Sequence, residues 1–249
     1  MKDFSAFSRC LLLAALALLM TGASLAAQSS NVVEKARYFL SVEQMPDASR
    51  FLPDPPVNGS DAFCLDSLVY EQGKVLRGTP RGEQAVRDAK TKIDVVMKRF
   101  GAVMERDFTP ENYPVTADFL FRTITTARLT VTTAKDKFHR MRPYQYFNEP
   151  TPVPEKEAKD DFTSYPSGHT IRFWMAALTL AALDPAHQDD ILKVGYELGQ
   201  SRTIVGFHFQ SDIDAARLAA SAAYARLSAD RAWQKAFRRA QREMARIHK

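Results

Sequence analysis

The chain has 249 residues, of which 45% are hydrophobic and 25% charged, and its formal net charge is +5. This composition excludes an intrinsically disordered protein and supplies enough apolar side chains for a sizeable core in one or two domains. The small positive excess is too diffuse to indicate nucleic-acid binding, and it favours small anionic substrates.

The first 27 residues have the pattern of a signal peptide. Lys2 and Arg9 form a charged n-region, and the apolar run 11–20 is followed by small residues suited to cleavage. This run is too short to span a bilayer comfortably, and the alternative is an uncleaved membrane anchor. We therefore expect residues 28–249 to form a periplasmic or secreted protein with no stable membrane association after the signal is removed.

A single cysteine, Cys64, remains after residue 27, so the mature chain has no second cysteine for an intramolecular disulfide. Lone cysteines are more often small buried hydrophobic residues than functional thiols. We expect the first of these at Cys64.

Apolar residues recur at three- and four-residue spacing along most of the chain, and no run of alternating strands is present. The predicted helices are 82–106, 115–141, 170–183, 187–202, 208–228 and 230–247. The segment 170–183 is almost entirely apolar, which predicts a helix buried on most sides. A mobile loop is expected at 147–163. The predicted fold class is all-α: a single-domain helical bundle whose active site is formed by helix ends and a loop.

Two cations are seven residues apart in the first polar motif, Lys135-x6-Arg142-Pro143. Seven residues are about two helical turns, so we expect both side chains on one helix face. Pro143 disfavours helix at Arg142 and therefore places that guanidinium at a helix end. Paired cations require an anion. The alternative is a solvated basic face, because Lys137 and Arg140 are nearby.

The second motif, Ser167-Gly168-His169, directly precedes the predicted buried helix. The start of a helix has unpaired backbone N–H groups and the positive end of the helix dipole. Ser167 and Gly168 allow an oxyanion to approach this backbone closely, and His169 would lie beside it. The alternative is an ordinary helix cap.

The third motif is Arg202-x5-His208-x3-Asp212. The guanidinium of Arg202 is planar and suits bidentate contact with a phosphate. His208 and Asp212 are four residues apart, so on a helix the carboxylate can meet the imidazole and fix its tautomer. The alternative is a helical salt bridge beside a buried histidine.

Together the three motifs predict a cradle for one tetrahedral oxyanion. Phosphoryl transfer mainly requires positioning and charge neutralisation, and these residues supply both without a metal or other cofactor. The sequence has no HExxH motif, paired carboxylates or cysteine–histidine cluster of the kind that binds a catalytic metal.

The combined pattern K-x6-RP, PSGH and SR-x5-H-x3-D resembles the motifs of the type 2 phosphatidic acid phosphatase superfamily, which includes vanadium haloperoxidases and membrane lipid phosphatases. The flanking segments are similar to those of bacterial class A non-specific acid phosphatases, over roughly residues 38–245. The matching segments are 51–56, 70–73, 164–170 and 195–202. The chain departs from this class at Thr163, where glycine is usual, at Asp54, which interrupts a proline run, and near Val205, where cysteine is common.

The resemblance assigns roles to eight residues. His208 would be the nucleophile, Asp212 its orienting partner and His169 the general acid. Phosphate would be bound by Lys135, Arg142, Ser167, Gly168 and Arg202. The expected activity is metal-independent hydrolysis of phosphate monoesters at acidic pH through a phosphohistidine, over a broad range of small substrates. A homodimer is expected from the resemblance alone.

Several alternatives stay open at this point. The same residues suit an apyrase-like enzyme that acts on nucleotides or diphosphates, or a phosphotransferase. A lipid phosphatase would normally carry several membrane spans, and a vanadate-dependent peroxidase is typically larger. A non-enzymatic binder would use the basic segment 231–249 on membranes or nucleic acid.

Overall fold

A computed structural model describes residues 37–246. The predicted signal peptide, residues 1–27, lies outside the described residues. The described residues from Phe39 onward form one compact unit. Within residues 37–246, no helix has the length and apolar character needed to cross a membrane.

The described part of the chain is helical and contains no sheet, which confirms the all-α prediction. Its only β-type pairing is an isolated bridge between Arg140 and Thr163. The α-helices are α1 Asp61–Leu76, α2 Pro80–Arg87, α3 Ile93–Gly101, α4 Pro114–Ala127, α5 Thr132–Phe138, α6 Pro143–Tyr146, α7 Gly168–Leu183, α8 Gln188–Ile204, α9 Gln210–Ser228 and α10 Arg231–Arg246. Short 3₁₀ turns lie at Val42–Gln44, Ala48–Arg50, Arg128–Val131, Pro154–Lys156 and Pro185–His187.

Local sequence signals account for most helix starts. Pro80, Pro114 and Pro143 occupy first-turn positions, where the missing backbone N–H costs nothing. The side-chain oxygens of Ser60 and Thr79 accept hydrogen bonds from the first turns of α1 and α2. These caps set where the helices begin more sharply than apolar periodicity does.

Two of the predicted helices were too long. The segment 82–106 is divided into α2 and α3 by residues 88–92, which are not helical. The segment 115–141 is divided into α4, a 3₁₀ turn and α5, and it ends at His139, whose φ of 42° is left-handed. A residue in this conformation terminates an α-helix, so the chain changes direction before Arg142.

Helix α7 is the centre of the bundle and packs against α4, α8 and α9. Its residues Ile171, Phe173 and Met175 are at most 1% exposed, as its apolar sequence predicts. A short turn joins α7 to α8, so the two helices run antiparallel. This arrangement places the end of α8 beside the start of α7, and both ends carry predicted phosphate-binding residues.

Candidate active site

The predicted residues converge at one end of the bundle. Ser167, Gly168 and His169 lie at the start of α7, Arg202 lies in the last turn of α8, and His208 and Asp212 lie at the approach to α9 and in its first turn. The segment from Lys135 to Arg142 and the end of the 147–163 loop complete the site. Three motifs that are far apart in sequence are therefore brought together.

The prediction that Lys135 and Arg142 share one helix face is wrong. Lys135 is in α5, whereas Arg142 is the N-cap residue of α6, beyond the left-handed His139. The two cations converge because both reach Thr163. The Lys135 ammonium donates to the Thr163 carbonyl at 2.5 Å, and Arg142 Nη2 donates to Thr163 Oγ1 at 3.0 Å.

Lys135 also donates to the carbonyl of Pro166 at 3.0 Å, which holds its ammonium against the start of α7. Burial, together with the charge of Arg142, lowers the pKa of Lys135 to about 8. The Cε atom of Lys135 lies 3.7 Å from the position of a Cβ on Gly168. The lysine therefore lies directly beside the backbone expected to bind phosphate.

Arg202 is 1% exposed, and its Nε and Nη1 atoms have no hydrogen-bond partner among the described residues. Unpartnered donors on a buried guanidinium are costly unless a ligand, an ion or water satisfies them. Burial and the charge of Arg142 lower the pKa of Arg202 to about 9, against the opposing effect of Asp88. An oxyanion placed here would satisfy both donors.

Ser167 is the N-cap of α7, and its Oγ accepts from the Thr170 N–H at 3.3 Å and from the Thr170 hydroxyl at 2.9 Å. The Ser167 N–H donates to the backbone carbonyl of Asp212 at 3.0 Å, so it is already engaged. Ser167 therefore caps α7 and also lies beside the other predicted phosphate-binding residues. His169 follows in the first turn, with its ring centroid 6.2 Å from that of Phe173.

His208 is 1% exposed and does not lie on a helix, because α9 begins at Gln210. Its Nε2 atom is 3.0 Å from Arg142 Nη1. A guanidinium only donates hydrogen bonds, so this contact requires a lone pair on Nε2 and places the ring proton on Nδ1. The neutral tautomer with its lone pair on Nε2 is thus the one that fits the site, and in the ligand-free protein this lone pair faces Arg142 Nη1.

Asp212 lies below the other ring nitrogen, with Oδ2 at 3.4 Å from His208 Nδ1. The prediction that a shared helix brings these two residues together is wrong, although they are close. Asp212 lies in the first turn of α9, and its Oδ2 accepts from the Phe209 N–H at 2.8 Å and from the Ser164 hydroxyl at 2.6 Å. The carboxylate is held by these contacts at its helix start, whereas His208 Nδ1 has no hydrogen-bond partner among the described residues.

Both histidines are surrounded by positive charge. Burial first, then Arg142, Arg202 and Lys135, holds the pKa of His208 well below its usual value. Burial first, and then Arg202, has the same effect on the pKa of His169. Both shifts favour the neutral form of each ring in the ligand-free site.

Sequence reasoning missed Arg140, which entered only through the alternative of a solvated basic face. Arg140 is buried and bridges two carboxylates, with Nη1 at 2.6 Å from Asp212 Oδ1 and Nη2 at 2.7 Å from Asp66 Oδ2. The Ser211 hydroxyl also donates to Asp66. No signal in the local sequence identifies this pair, because Asp66 is 74 residues away from Arg140.

The sequence motifs also did not predict that the carboxylate of Asp161 lies in the site. Asp161 Oδ2 accepts from Arg142 Nε at 2.5 Å, and its Oδ1 accepts from the N–H and the hydroxyl of Thr163 at 2.8 and 2.6 Å. Burial opposes ionisation of Asp161, but the hydrogen bonds from Thr163 and the charge of Arg142 outweigh it and lower its pKa.

Two further residues are exposed. His139 stacks on Phe162 with ring centroids 4.4 Å apart. Cys64, expected to be buried, is exposed on α1. Among residues 37–246, no three His, Cys, Asp or Glu side chains are grouped so that they could hold a metal ion.

Comparison with known proteins gives consistent matches. A family profile described as "PAP2 superfamily" matches residues 118–235. A "Non-specific acid phosphatase" of Providencia stuartii is 40% identical over 214 residues, covering 85% of this chain and 86% of the relative. A protein of the same description from Salmonella typhimurium is 33% identical over 213 residues, covering 85% of each. An "Acid phosphatase" of Zymomonas mobilis is 30% identical over 199 residues, covering 80% of this chain and 75% of the relative.

Proposed function

This chain belongs to the PAP2 superfamily and is a class A non-specific acid phosphatase that hydrolyses phosphate monoesters, and we propose that it does so without a metal, through a phosphohistidine on His208. The observation that carries the proposal is the pairing of two opposite features. Arg202 presents buried, unpartnered donors, and the buried His208 presents an Nε2 lone pair. The Arg202 donors suit a phosphoryl oxygen, and the His208 lone pair suits attack on phosphorus.

Binding of the phosphoryl group is assigned to three cations and one helix start. Arg202 would donate from Nε and Nη1, while Lys135 and Arg142 would exchange contacts with Thr163 for contacts with phosphoryl oxygens. The backbone at Ser167 and Gly168 adds the positive end of the α7 dipole. In a buried site these fixed charges stabilise the extra negative charge of the transition state.

The reaction then takes two steps. His208 Nε2 attacks phosphorus and forms a P–N bond while the P–O bond to the leaving group breaks, and protonated His169 gives its proton to the departing oxygen. Water next attacks the phosphohistidine, His169 accepts a proton from this water, and the P–N bond breaks. Asp212 would stabilise the positive charge that develops on the His208 ring.

The pH dependence follows from the opposite protonation states of the two histidines. The lowered pKa of His208 favours the neutral form that the nucleophile needs. The pKa of His169 is lowered in the empty site, and a bound phosphate dianion opposes the charges that lower it. We therefore expect the rate to peak at roughly pH 5–6.5.

The test is phosphate release from p-nitrophenyl phosphate at about pH 6, in excess EDTA, with and without orthovanadate. The proposal expects turnover that EDTA leaves unchanged and vanadate inhibits. It also expects no turnover in His208→Ala. A His169→Asn variant should accumulate a phosphoenzyme that is labile in acid and stable in base, as phosphohistidine is. Loss of activity in EDTA, or a phosphoenzyme in His208→Ala, would overturn the mechanism.

We also propose that the protein acts outside the cytoplasm as a homodimer on small phosphorylated substrates, with no nucleic-acid partner. The pattern of residues 1–27 and the bacterial phosphatase relatives support export. Cell fractionation with an N-terminal sequence of the mature protein tests export. Light scattering of the purified enzyme tests the dimer.

A further inference from the structure

We propose that Asp161 determines substrate charge preference, by neutralising Arg142 so that the site favours phosphate monoesters over nucleoside diphosphates and other substrates with adjacent phosphates. This inference rests on the proposed function, because it concerns the same phosphate site. It assigns a specificity role to a residue outside the three motifs that define the site.

The contact between Asp161 and Arg142 is direct and well supported. Asp161 Oδ2 lies 2.5 Å from Arg142 Nε, and the two side chains are only 19% and 13% exposed. The other carboxylate oxygen is fixed by the Thr163 N–H and hydroxyl. Thr163 also accepts from Arg142 Nη2, so the acid, the threonine and the arginine form one closed hydrogen-bonded unit.

Arg142 has no donor to spare in this arrangement. Nε donates to Asp161, Nη2 donates to Thr163, and Nη1 contacts the Phe207 carbonyl and His208 Nε2. Arg202 differs, since its Nε and Nη1 are unpartnered. Among the described residues, Arg142 is also the only one of the three phosphate-site cations that pairs with a carboxylate within salt-bridge distance. A substrate that needs the charge of Arg142 must compete with Asp161 for it.

The pairing with Asp161 lowers the positive charge that the site offers to a substrate. Of the salt bridges within the described residues, only the one to Asp161 pairs a phosphate-site cation, Arg142, with a carboxylate. Removal of the charge on Asp161 would leave Arg142 without its carboxylate and make the site more positive by one charge. A monoester carries up to about two negative charges at its phosphate, while a diphosphate carries more.

Asp161 is close enough to act on the second phosphate of a diphosphate. Arg142 bridges Asp161 Oδ2 and His208 Nε2 with contacts of 2.5 and 3.0 Å, and the guanidinium is small, so the carboxylate lies within about 8 Å of the nucleophile. At that range, in a partly buried site, two like charges repel appreciably and salt screens them only in part. The penalty falls most heavily on substrates with additional negative charge.

The experiment compares AMP and ADP, which share one nucleoside and differ by one phosphate. It measures kcat/KM for both in the wild type and in Asp161→Asn, an isosteric change that removes the charge. We expect the ADP-to-AMP ratio to rise about tenfold in Asp161→Asn, since a full negative charge is removed near the additional phosphate. The matched control is Asp160→Asn, which removes the neighbouring exposed charge on the same loop and should change the ratio less than twofold.

A binding measurement separates this inference from the proposed mechanism. Calorimetry with methylphosphonate and methylenediphosphonate, neither of which is hydrolysed, reports the same preference without turnover. Asp161→Asn should strengthen diphosphonate binding about tenfold relative to monophosphonate binding. An unchanged ratio in folded Asp161→Asn, in both assays, would overturn the specificity role. Absence of AMP hydrolysis by the wild type would instead overturn the proposed function, and the phosphonate ratio would still decide the role of Asp161.

If Asp161→Asn unfolds, Asp161→Ala provides the second variant, because it removes the charge without leaving an amide that could bond Arg142. The same ratio is expected to rise. An equal loss of both activities, with no change in the ratio, would show that Asp161 only holds Arg142 in place.

Discussion

Arg202 is a buried guanidinium whose Nε and Nη1 have no hydrogen-bond partner in residues 37–246, a state that has an energetic cost unless a ligand satisfies it. We predict that Arg202→Ala lowers kcat/KM for p-nitrophenyl phosphate by roughly 10²–10³, the usual loss on removing one preorganised donor of this kind. Arg202→Lys keeps the charge but not the planar fork and should recover only part of the loss. Steady-state kinetics and the vanadate inhibition constant measure both variants. A loss below threefold in Arg202→Ala would mean that the residue is structural.

Arg140 is expected to act through Asp212, because it does not face the phosphate site directly. Arg140→Met leaves Asp66 and Asp212 buried without their common cation, which should lower the free energy of unfolding by about 3 kcal/mol. A displaced Asp212 should also lower kcat by up to about 10²-fold, with little change in KM. Denaturant unfolding and kinetics well below the melting temperature measure the two effects.

The control for this prediction is Arg140→Lys, which retains the charge and should recover part of the lost kcat. An unchanged kcat in folded Arg140→Met would show that the buried Asp66–Arg140–Asp212 chain supports stability alone.

At the level of secondary-structure elements, the sequence predicts those features that depend on the local residue pattern. Helix α7 could be predicted because its apolar residues are continuous and a serine caps it. The end of α5 could not, because the left-handed conformation of His139 depends on packing beyond the local sequence. The same holds for the Arg140–Asp66 pair, which joins α1 to a loop far along the chain. The Asp161–Arg142 pair could not be predicted either. The two residues are only 19 positions apart in sequence, but Asp161 lies in a loop with many other charged residues.

The close packing of the antiparallel helices α7 and α8 positions the site, and a substitution at their contact tests this. A Cβ on Gly195 would lie 2.4 Å from the Cβ of Ala177, so only glycine allows these helices to approach so closely. Gly195→Ala should cost about 1–3 kcal/mol through overpacking, partly offset by the better helix propensity of alanine. Because separation of the helices would move Arg202 away from His169, kcat/KM should fall as well. Thermal unfolding and kinetics measure both changes.

Gly78→Ala is the matched control for this helix-packing prediction. Nothing lies within 4 Å of a Cβ at Gly78, and its φ is not left-handed, so the substitution should be neutral or slightly stabilising. Equal melting temperatures for the two variants would contradict the close-packing argument.

At the scale of the whole molecule, the cationic site couples stability to pH. His208 is buried and neutral in the folded protein, and its pKa is well below the value of about 6.5 expected in the unfolded chain. Between those two pKa values the unfolded chain binds more protons than the native state, so stability rises with pH in this window. The contribution is fully present above about pH 6.5 and is lost progressively as the pH falls.

We therefore predict that the ligand-free protein loses stability through His208 as the pH falls from about 6.5 to about 5, which lowers its melting temperature. His208→Asn, which cannot titrate, should show a shallower decline over this range. Inorganic phosphate should also flatten the decline in the wild type, because a bound anion offsets the cations that disfavour histidine protonation. Melting curves at several pH values, with and without phosphate, measure these slopes. Parallel slopes for the wild type and His208→Asn would show that groups other than His208 govern the acid sensitivity of this acid phosphatase.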